Sequence, residues 1–337
     1  MSSETLNTAN APQHPALLLL PRIRVQNANA ISSPMTWGFP AMTAFLGLMT
    51  GLERRLGAEA GIAFRAVGVV CHGFEPQVTT DGYTRAFHLT RNPVLADGST
   101  AGIVEEGRVH LELSLVLDVL LRQDQLGEAQ RQALVDLVAH TLAGMRLAGG
   151  SVMPALPMTQ TRRSKPTLEL MAEGDESRSK QFRQLMRRCL PGFALVSRDD
   201  LLQQRLAAMQ LNAQDATVLD AWLDLSRWNH HASPDVTQDS PNLWQTDARA
   251  GWIVPIPVGY AALSELHPAG TVRNARDAHT ALRFVEPLWS MGQWVSPHRL
   301  KNIDDLLWYA SAEGAVQTEY RCCNDYAPEL LADQATV

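Results

Sequence analysis

Six residues near the start of the chain carry side chains suited to nucleic-acid recognition: Arg22, Arg24, Gln26, Asn27, Asn29 and Trp37. Guanidinium groups bind phosphates, side-chain amides pair two ways with base edges, and an indole stacks on an unstacked base. These are the tools of single-stranded RNA recognition. The same stretch also reads as a strand-to-helix loop whose amides and hydroxyls satisfy its own backbone. The element that must position these side chains is the apolar run Ala16 to Leu20, which predicts a buried strand over 16–26. Alternation then puts Ile23 and Val25 on one face and Arg22, Arg24 and Gln26 on the other. From Gln26 to Pro40 the density of Asn, Ser, Gly and Pro ends the strand and opens a loop.

Catalytic chemistry has little support. The sequence holds no G-x-x-x-x-G-K-[ST], H-E-x-x-H or G-x-S-x-G motif and no dinucleotide fingerprint. His72, His88 and His110 can be read as candidate general bases of a metal-free ribonuclease, or as residues that each satisfy a local hydrogen bond. His230-His231 has no companion ligand for a metal. Asp304-Asp305 reads as the first turn of a helix rather than a metal pair. Cys71, Cys189, Cys322 and Cys323 form no C-x-x-C pair, as expected of reduced thiols in the cytoplasm. No catalytic residue, cofactor or metal is assigned.

A net charge of −6 argues against coating nucleic acid by bulk electrostatics, so any such contact must be local. Only Lys165, Lys180 and Lys301 are lysines among the 29 Lys and Arg. That skew suits bidentate phosphate contacts, and equally a GC-rich codon usage. At 45% apolar residues the chain is globular. No apolar run reaches membrane-spanning length. Residues 1–14 read as a disordered polar tail without the basic region of a signal peptide.

Periodicity predicts a helix over 40–56, with Met42, Phe45, Leu46, Met49, Leu52 and Leu56 on its apolar face, ended by Gly57. A strand follows at 62–74, then a projecting hairpin over 76–108 with a turn at Asp97-Gly98. A half-buried strand at 109–117 and a helix at 128–147 come next, ending in Gly149-Gly150-Ser151. A further strand, at 151–156 or 193–197, completes βαββαβ, a ferredoxin-like arrangement within the α+β class. The Gly-rich loop follows a helix rather than opening one, so it lacks helix-dipole help, although its amides are free to meet a phosphate.

The second half is less regular. Residues 154–177 read as a loop. Residues 178–188 are basic, and helical spacing puts Lys180, Arg183 and Arg187 on one face, either toward phosphate or toward solvent. Ser197–Asp200 reads as a capping box opening a helix to about Met209, and Thr217–Asp220 opens another running to Trp228. Residues 230–248 read as a flexible linker, and Pro255 and Pro257 restrict 251–260 to an edge strand or extended segment. The expected division is a core over 15–197 with its insertion at about 76–108, and an extension over 198–337.

Longer words of the sequence carry a resemblance. Among them are Gln26–Pro34, Thr36–Pro40, Thr90-Arg91-Asn92-Pro93, Ile103–Arg108, Met145–Ser151, Leu190–Arg198, Val254–Pro257, Arg273–Asp277 and Ser296-Pro297-His298-Arg299. From about residue 15 to about residue 310 the chain resembles the second Csy subunit family, Cas-five-type RAMP proteins of the type I-F CRISPR surveillance (Cascade) complex. The resemblance implies a RAMP core with a thumb hairpin and a role in antiviral defence, gripping the 5′ handle of the CRISPR RNA. It implies pairing with the large Csy subunit and contact with the first backbone subunit, and leaves contact with target DNA open. It implies no catalysis and no membrane. The competing reading is a metal-independent RNA-processing endonuclease using His88 or His110. With these words, the candidate RNA-binding residues are Arg22, Arg24, Gln26, Asn27, Asn29, Trp37, Arg91, Asn92, Arg108, Arg146, Gly149, Gly150, Ser151, Lys180, Arg183, Arg187, Arg273, Arg276, His298 and Arg299.

Overall fold

The computed structural model describes residues 11–91, 94–95, 97–154, 164–232, 244–249, 251–311 and 318–327. The N-terminal half builds one sheet with helices on its apolar side. The leucines at 17–20 are buried in strand β1 (His14–Asn29). Two short strands, β2 (Ile31–Ser33) and β3 (Thr36–Trp37), lead to helix α1 (Met42–Leu56), whose Met42, Phe45, Leu46, Met49 and Leu52 are buried as the spacing predicts. Burying such a side chain fully contributes roughly 1.5–3 kcal/mol. Pro40 lies just before the N-cap, Ala41, rather than inside the helix. Strand β4 (Ile62–Pro76) returns beside the others.

The insertion is two hairpins in series rather than one. Strands β5 (Val78–Asp81) and β6 (Thr84–Phe87) pair with each other, as do β7 (Leu89–Arg91) and β8 (Ile103–Glu105). Asp97-Gly98 does turn the chain: Ser99 donates its amide and hydroxyl to the Asp97 carboxylate. Strand β9 (Arg108–Leu121) and helix α2 (Glu128–Ala143) follow. This helix stops at Gly144, short of the expected 147, because Arg146 and Leu147 are drawn into a strand pair, β10 (Arg146–Leu147) with β11 (Gly150–Val152). The strand at Gly150, not the one at Phe193, lies beside β1. The spatial order is β11-β1-β9-β4, all antiparallel.

Residues expected as loop supply another strand, β12 (Thr167–Leu170), which pairs with β1 at Ala16–Leu19. Helix α3 (Asp175–Arg188) covers the other face of the sheet there, placing Phe182 and Met186 against Leu19, Val70 and Val116. Its Lys180, Arg183 and Arg187 point outward and are exposed.

The C-terminal half is more regular than its sequence suggests. It contains β13 (Phe193–Ser197), α4 (Asp199–Gln210), α5 (Val218–Ser226), β14 (His230–Ala232), β15 (Trp244–Thr246), β16 (Ile253–Ala262), β17 (Val285–Val295), β18 (Leu307–Ala310) and β19 (Glu319–Asn324). Strands β13, β17, β16, β19 and β18 pair in turn, and both ends of that series pair with β4, closing a ring of six. The sheet therefore runs through both expected parts of the chain. Strand β16 is not an edge throughout: β17 lines one side, and β19 joins the other only at Gly259–Ala261, beyond both prolines. Missing proline donors thus cost nothing there.

Other expectations change. Thr217 and Asp220 do form a capping box. Ser197 does not: it ends β13 and donates its amide to Asn324, while Arg198 forks onto Asp200. Asp304-Asp305 opens no helix; Asp305 is buried in a turn that accepts the Lys301 amide, and a strand follows. The ends of the expected linker pair as β14 and β15, while 233–243 lie outside the described residues. So do residues 1–10 of the expected tail; His14 already begins β1. Among the described residues no helix is long and apolar enough to cross a membrane.

Candidate nucleic-acid interface

Among the described residues, one half of the sheet is left uncovered on the side away from α1 and α2. Helix α3 shields the half nearer Leu19, and below it the strands present polar side chains. Pairing places Arg146, Ser151 and Gln26 in one row across β10, β11 and β1. Their row neighbours Leu147, Val152 and Val25 are buried on the opposite face, which fixes the outward direction of the trio. Arg24, two residues up the strand, and Asn27, at a bulge, join them; all five are exposed. Arg24 spends one guanidinium nitrogen on the Pro154 carbonyl at 3.4 Å. The side chains of Gln26, Asn27, Arg146 and Ser151 have no hydrogen-bond partner among the described residues. Two cations, two amides and a hydroxyl on one flat face can contact phosphate and base edges together.

Strand β1 runs past the expected end at Gln26 because two bulges absorb its irregular residues. Arg22 and Asn27 both adopt left-handed backbone, φ 54° and 57°, and the pairing with β9 shifts at each. Asn takes that conformation readily; Arg does not, and Arg22 is held there by many partners. Its amide donates to Ser114 Oγ at 3.2 Å, and its guanidinium to Glu112 and to the Leu190 and Pro191 carbonyls. Arg22 is thereby committed to the fold. So is much of Arg108, which donates to Glu106 and to the Asn27 carbonyl.

The Asn29 amide clamps the backbone of Ile31, donating to its carbonyl at 2.7 Å and accepting from its amide at 3.0 Å. Trp37 lies neither under α1 nor free. It packs on Phe74 and Phe87, at centroid distances of 6.3 and 5.8 Å, with 46% of its surface exposed. Gly149 lies in the turn joining β10 and β11, and Gly150 is buried against β1. Arg273 and Arg276 are exposed in a loop, and His298 and Arg299 on a single turn of 3-10 helix. The side chain of Arg91 and all of Asn92 lie outside the described residues. The structure thus gathers Arg24, Gln26, Asn27, Arg146 and Ser151, and leaves the other described candidates elsewhere on the surface or in the scaffold.

Sequence reasoning overlooked Ser114 and Glu112 as partners of Arg22. Their signal was present: with Arg108, His110 and Asp118 they are the polar positions of an otherwise apolar β9. Ser114 also donates to His72 Nε2 at 2.7 Å, while His72 Nδ1 donates to the Pro191 carbonyl at 2.6 Å. Burial holds the His72 pKa below its ordinary value; the carbonyl opposes this and Arg22 adds to it. His110 Nδ1 accepts the Asn27 amide at 3.1 Å. Both rings therefore serve local hydrogen bonds, and His88 is exposed at the insertion. Burial pushes the Cys71 thiol up to about 11 and Cys189 to about 12, so neither offers a thiolate at neutral pH. No group of metal-binding side chains occurs among the described residues.

Comparison with known proteins places the chain in a family. The family described as CRISPR-associated protein (Cas_Csy2) matches residues 18–322. The CRISPR-associated protein Csy2 of Pseudomonas aeruginosa (strain UCBPP-PA14) is 51% identical over 306 residues, covering 88% of this chain and 92% of that protein. The match spans the sheet face, both hairpins of the insertion and the closed ring of strands. The chain therefore belongs to the Cas_Csy2 family of CRISPR-associated proteins, the second Csy subunit of type I-F CRISPR complexes.

Proposed function

We propose that this chain is a non-catalytic RNA-binding subunit of a type I-F interference complex, gripping the 5′ handle of the guide RNA on the uncovered half of its sheet. The observation that carries the reading is the exposed row Arg146–Ser151–Gln26, with Arg24 and Asn27 beside it, neither cation paired with a carboxylate among the described residues. Cations there would position the phosphates, and the amides would read unstacked bases. The βαββαβ order of the first half, fourth-first-third-second across the sheet, supports a ferredoxin-like RAMP core. In this reading the hairpins over 78–105 are the thumb, the partners are the large Csy subunit and the first backbone subunit, and the complex works in the cytoplasm.

Filter binding tests it with two double variants against handle RNA and a scrambled control. Arg24→Ala with Arg146→Ala is expected to weaken both RNAs alike, lowering the salt slope by about 1.4, or roughly 0.7 for each phosphate no longer neutralised. Gln26→Ala with Asn27→Gly, the glycine keeping the left-handed backbone, is expected to weaken the handle alone by about 1–3 kcal/mol for each base no longer read. If the second variant still discriminates as the parent does, the reading fails. Repeat RNA incubated with the chain in EDTA should stay intact. Cleavage that vanishes on His110→Ala would replace this reading with an endonuclease.

A further inference from the structure

Two sequence words outside the sheet face, Leu190–Arg198 and Ser296–Arg299, meet at one cleft. It has a volume of about 450 Å³ and is lined by Leu190, Pro191, Gly192, Phe193, Ser296 and His298. Clefts of roughly 300–1,000 Å³ hold small ligands or single groups of larger ones. The wall carbonyls of Leu190 and Pro191 are already taken by Arg22, and that of Pro191 also by His72, so this side presents mainly carbon. Phe193 is 44% exposed and is held edge-on by Trp252 at 5.3 Å, leaving an aromatic surface unfilled at the cleft. His298 Nδ1 shares a hydrogen bond with Ser296 Oγ at 2.8 Å, and its Nε2 has no partner among the described residues. The next residue, Arg299, is exposed, and no carboxylate lines the cleft. Arg22 ties this wall to the uncovered sheet face through its bonds to Glu112 and Pro191.

We infer that the cleft receives one unstacked nucleobase of the bound RNA, with Phe193 as the stacking surface and His298 Nε2 on the base edge. The inference rests on the RNA-binding reading above. Aromatic stacking joined to one hydrogen-bonding group is how single-stranded bases are held. The exposed Arg299 beside the cleft, with no acid among the lining residues, favours a polyanion over an apolar protein segment.

The experiment is a binding cycle between Phe193 and individual bases. Handle RNAs with a single abasic site at each position in turn are titrated against the parent chain and Phe193→Ala, with Phe193→Trp as the variant that retains stacking. Intact RNA should bind Phe193→Ala about tenfold more weakly and Phe193→Trp like the parent. At one position removal of the base should erase the difference between parent and Phe193→Ala, and His298→Ala should couple to that same position. Equal loss at every position, or no loss with intact RNA, overturns the cleft assignment while leaving RNA binding in place. Failure of the parent itself to bind handle RNA overturns the functional reading first. If Phe193→Ala binds RNA normally but no longer assembles with co-expressed Csy subunits, the cleft holds protein and the inference is wrong.

Discussion

Adding one methyl group at Gly150 should separate two roles that a Gly-rich turn combines. A Cβ there would lie 2.6 Å from the Ala28 amide nitrogen and the Gln26 carbonyl oxygen, and 2.7 Å from Ala28 Cα. All three are backbone atoms of β1 and cannot rotate away. Ordinary contact begins near 3.4 Å, so about 0.8 Å must open between the hairpin and β1. The hairpin is held to β1 by few bonds. They include the Asn29 amide to the Ala148 carbonyl and the Met153 amide to the Arg24 carbonyl, each 2.8 Å. Overpacking of this kind costs about 1–3 kcal/mol, and losing one such bond adds about 1 kcal/mol, giving roughly 2–4 kcal/mol for Gly150→Ala. Gly149→Ala is the control. Its φ of 77° disfavours a side chain by about 1–2 kcal/mol, but its Cβ would meet nothing nearer than Arg108 Nη1 at 4.0 Å. Urea unfolding should rank Gly150→Ala below Gly149→Ala. Handle binding should weaken more in the former even under fully folded conditions, because Arg146 and Ser151 move with the hairpin. Equal stability of the two variants would refute the close-approach argument.

Two further outcomes follow from the same geometry. Burial depresses the His72 pKa below its unfolded value of 6.5, so between the two values the unfolded chain binds more protons and stability falls as pH drops. The urea midpoint should therefore decline from pH 7.5 to pH 5.5, by less in His72→Gln; an unchanged decline in the variant would remove His72 as a source. On α3, replacing Lys180, Arg183 and Arg187 together by alanine should reduce affinity for all RNA sequences alike and lower the salt slope by about 0.7 for each phosphate these side chains neutralise. An unchanged slope makes this a solvated face.

What the sequence reveals here depends on how far apart the cooperating residues lie. Helix α1 and strands β4 and β9 are legible because each carries its own periodic apolar face. The ring of the C-terminal half is not, because most of its pairings join segments far apart in sequence and the short strands β13 and β18 carry too few residues to show a period. Strand β16 reads as an edge from Pro255 and Pro257, yet β19 pairs with it just past them. The failed capping box at Ser197 has the same origin. Asp199 and Asp200 look like first-turn helix acids, and they are, but Arg321, Ser290 and Arg198 claim their carboxylates. Within the site, the chemical character of the opening stretch is legible and its division of labour is not. Arg22 and Arg24 look alike in sequence, and partners 90 or more positions away, Glu112, Ser114, Leu190 and Pro191, separate them.

The bulges explain how β1 can serve both the core and the sheet face. Leu18 and Leu20 face the core beneath α1. Strict alternation from Leu20 would send Arg22, Arg24 and Gln26 into that core, where unpaired guanidinium groups are untenable. The register shift between Leu20 and Ile23 reverses the phase, so that Ile23 and Val25 take the core side and Arg24 and Gln26 emerge. The second shift, between Val25 and Ala28, reverses it again and buries Ala28 and Ala30, leaving Asn27 outside with Gln26. Each reversal places a left-handed residue on the strand, and each is secured by β9: Ser114 and Glu112 hold Arg22, and His110 accepts the Asn27 amide. The polar side of β9 is therefore the support for the proposed reading face. In the proposed reading, Arg22 serves RNA recognition indirectly, by setting the phase of the strand that carries Arg24, Gln26 and Asn27.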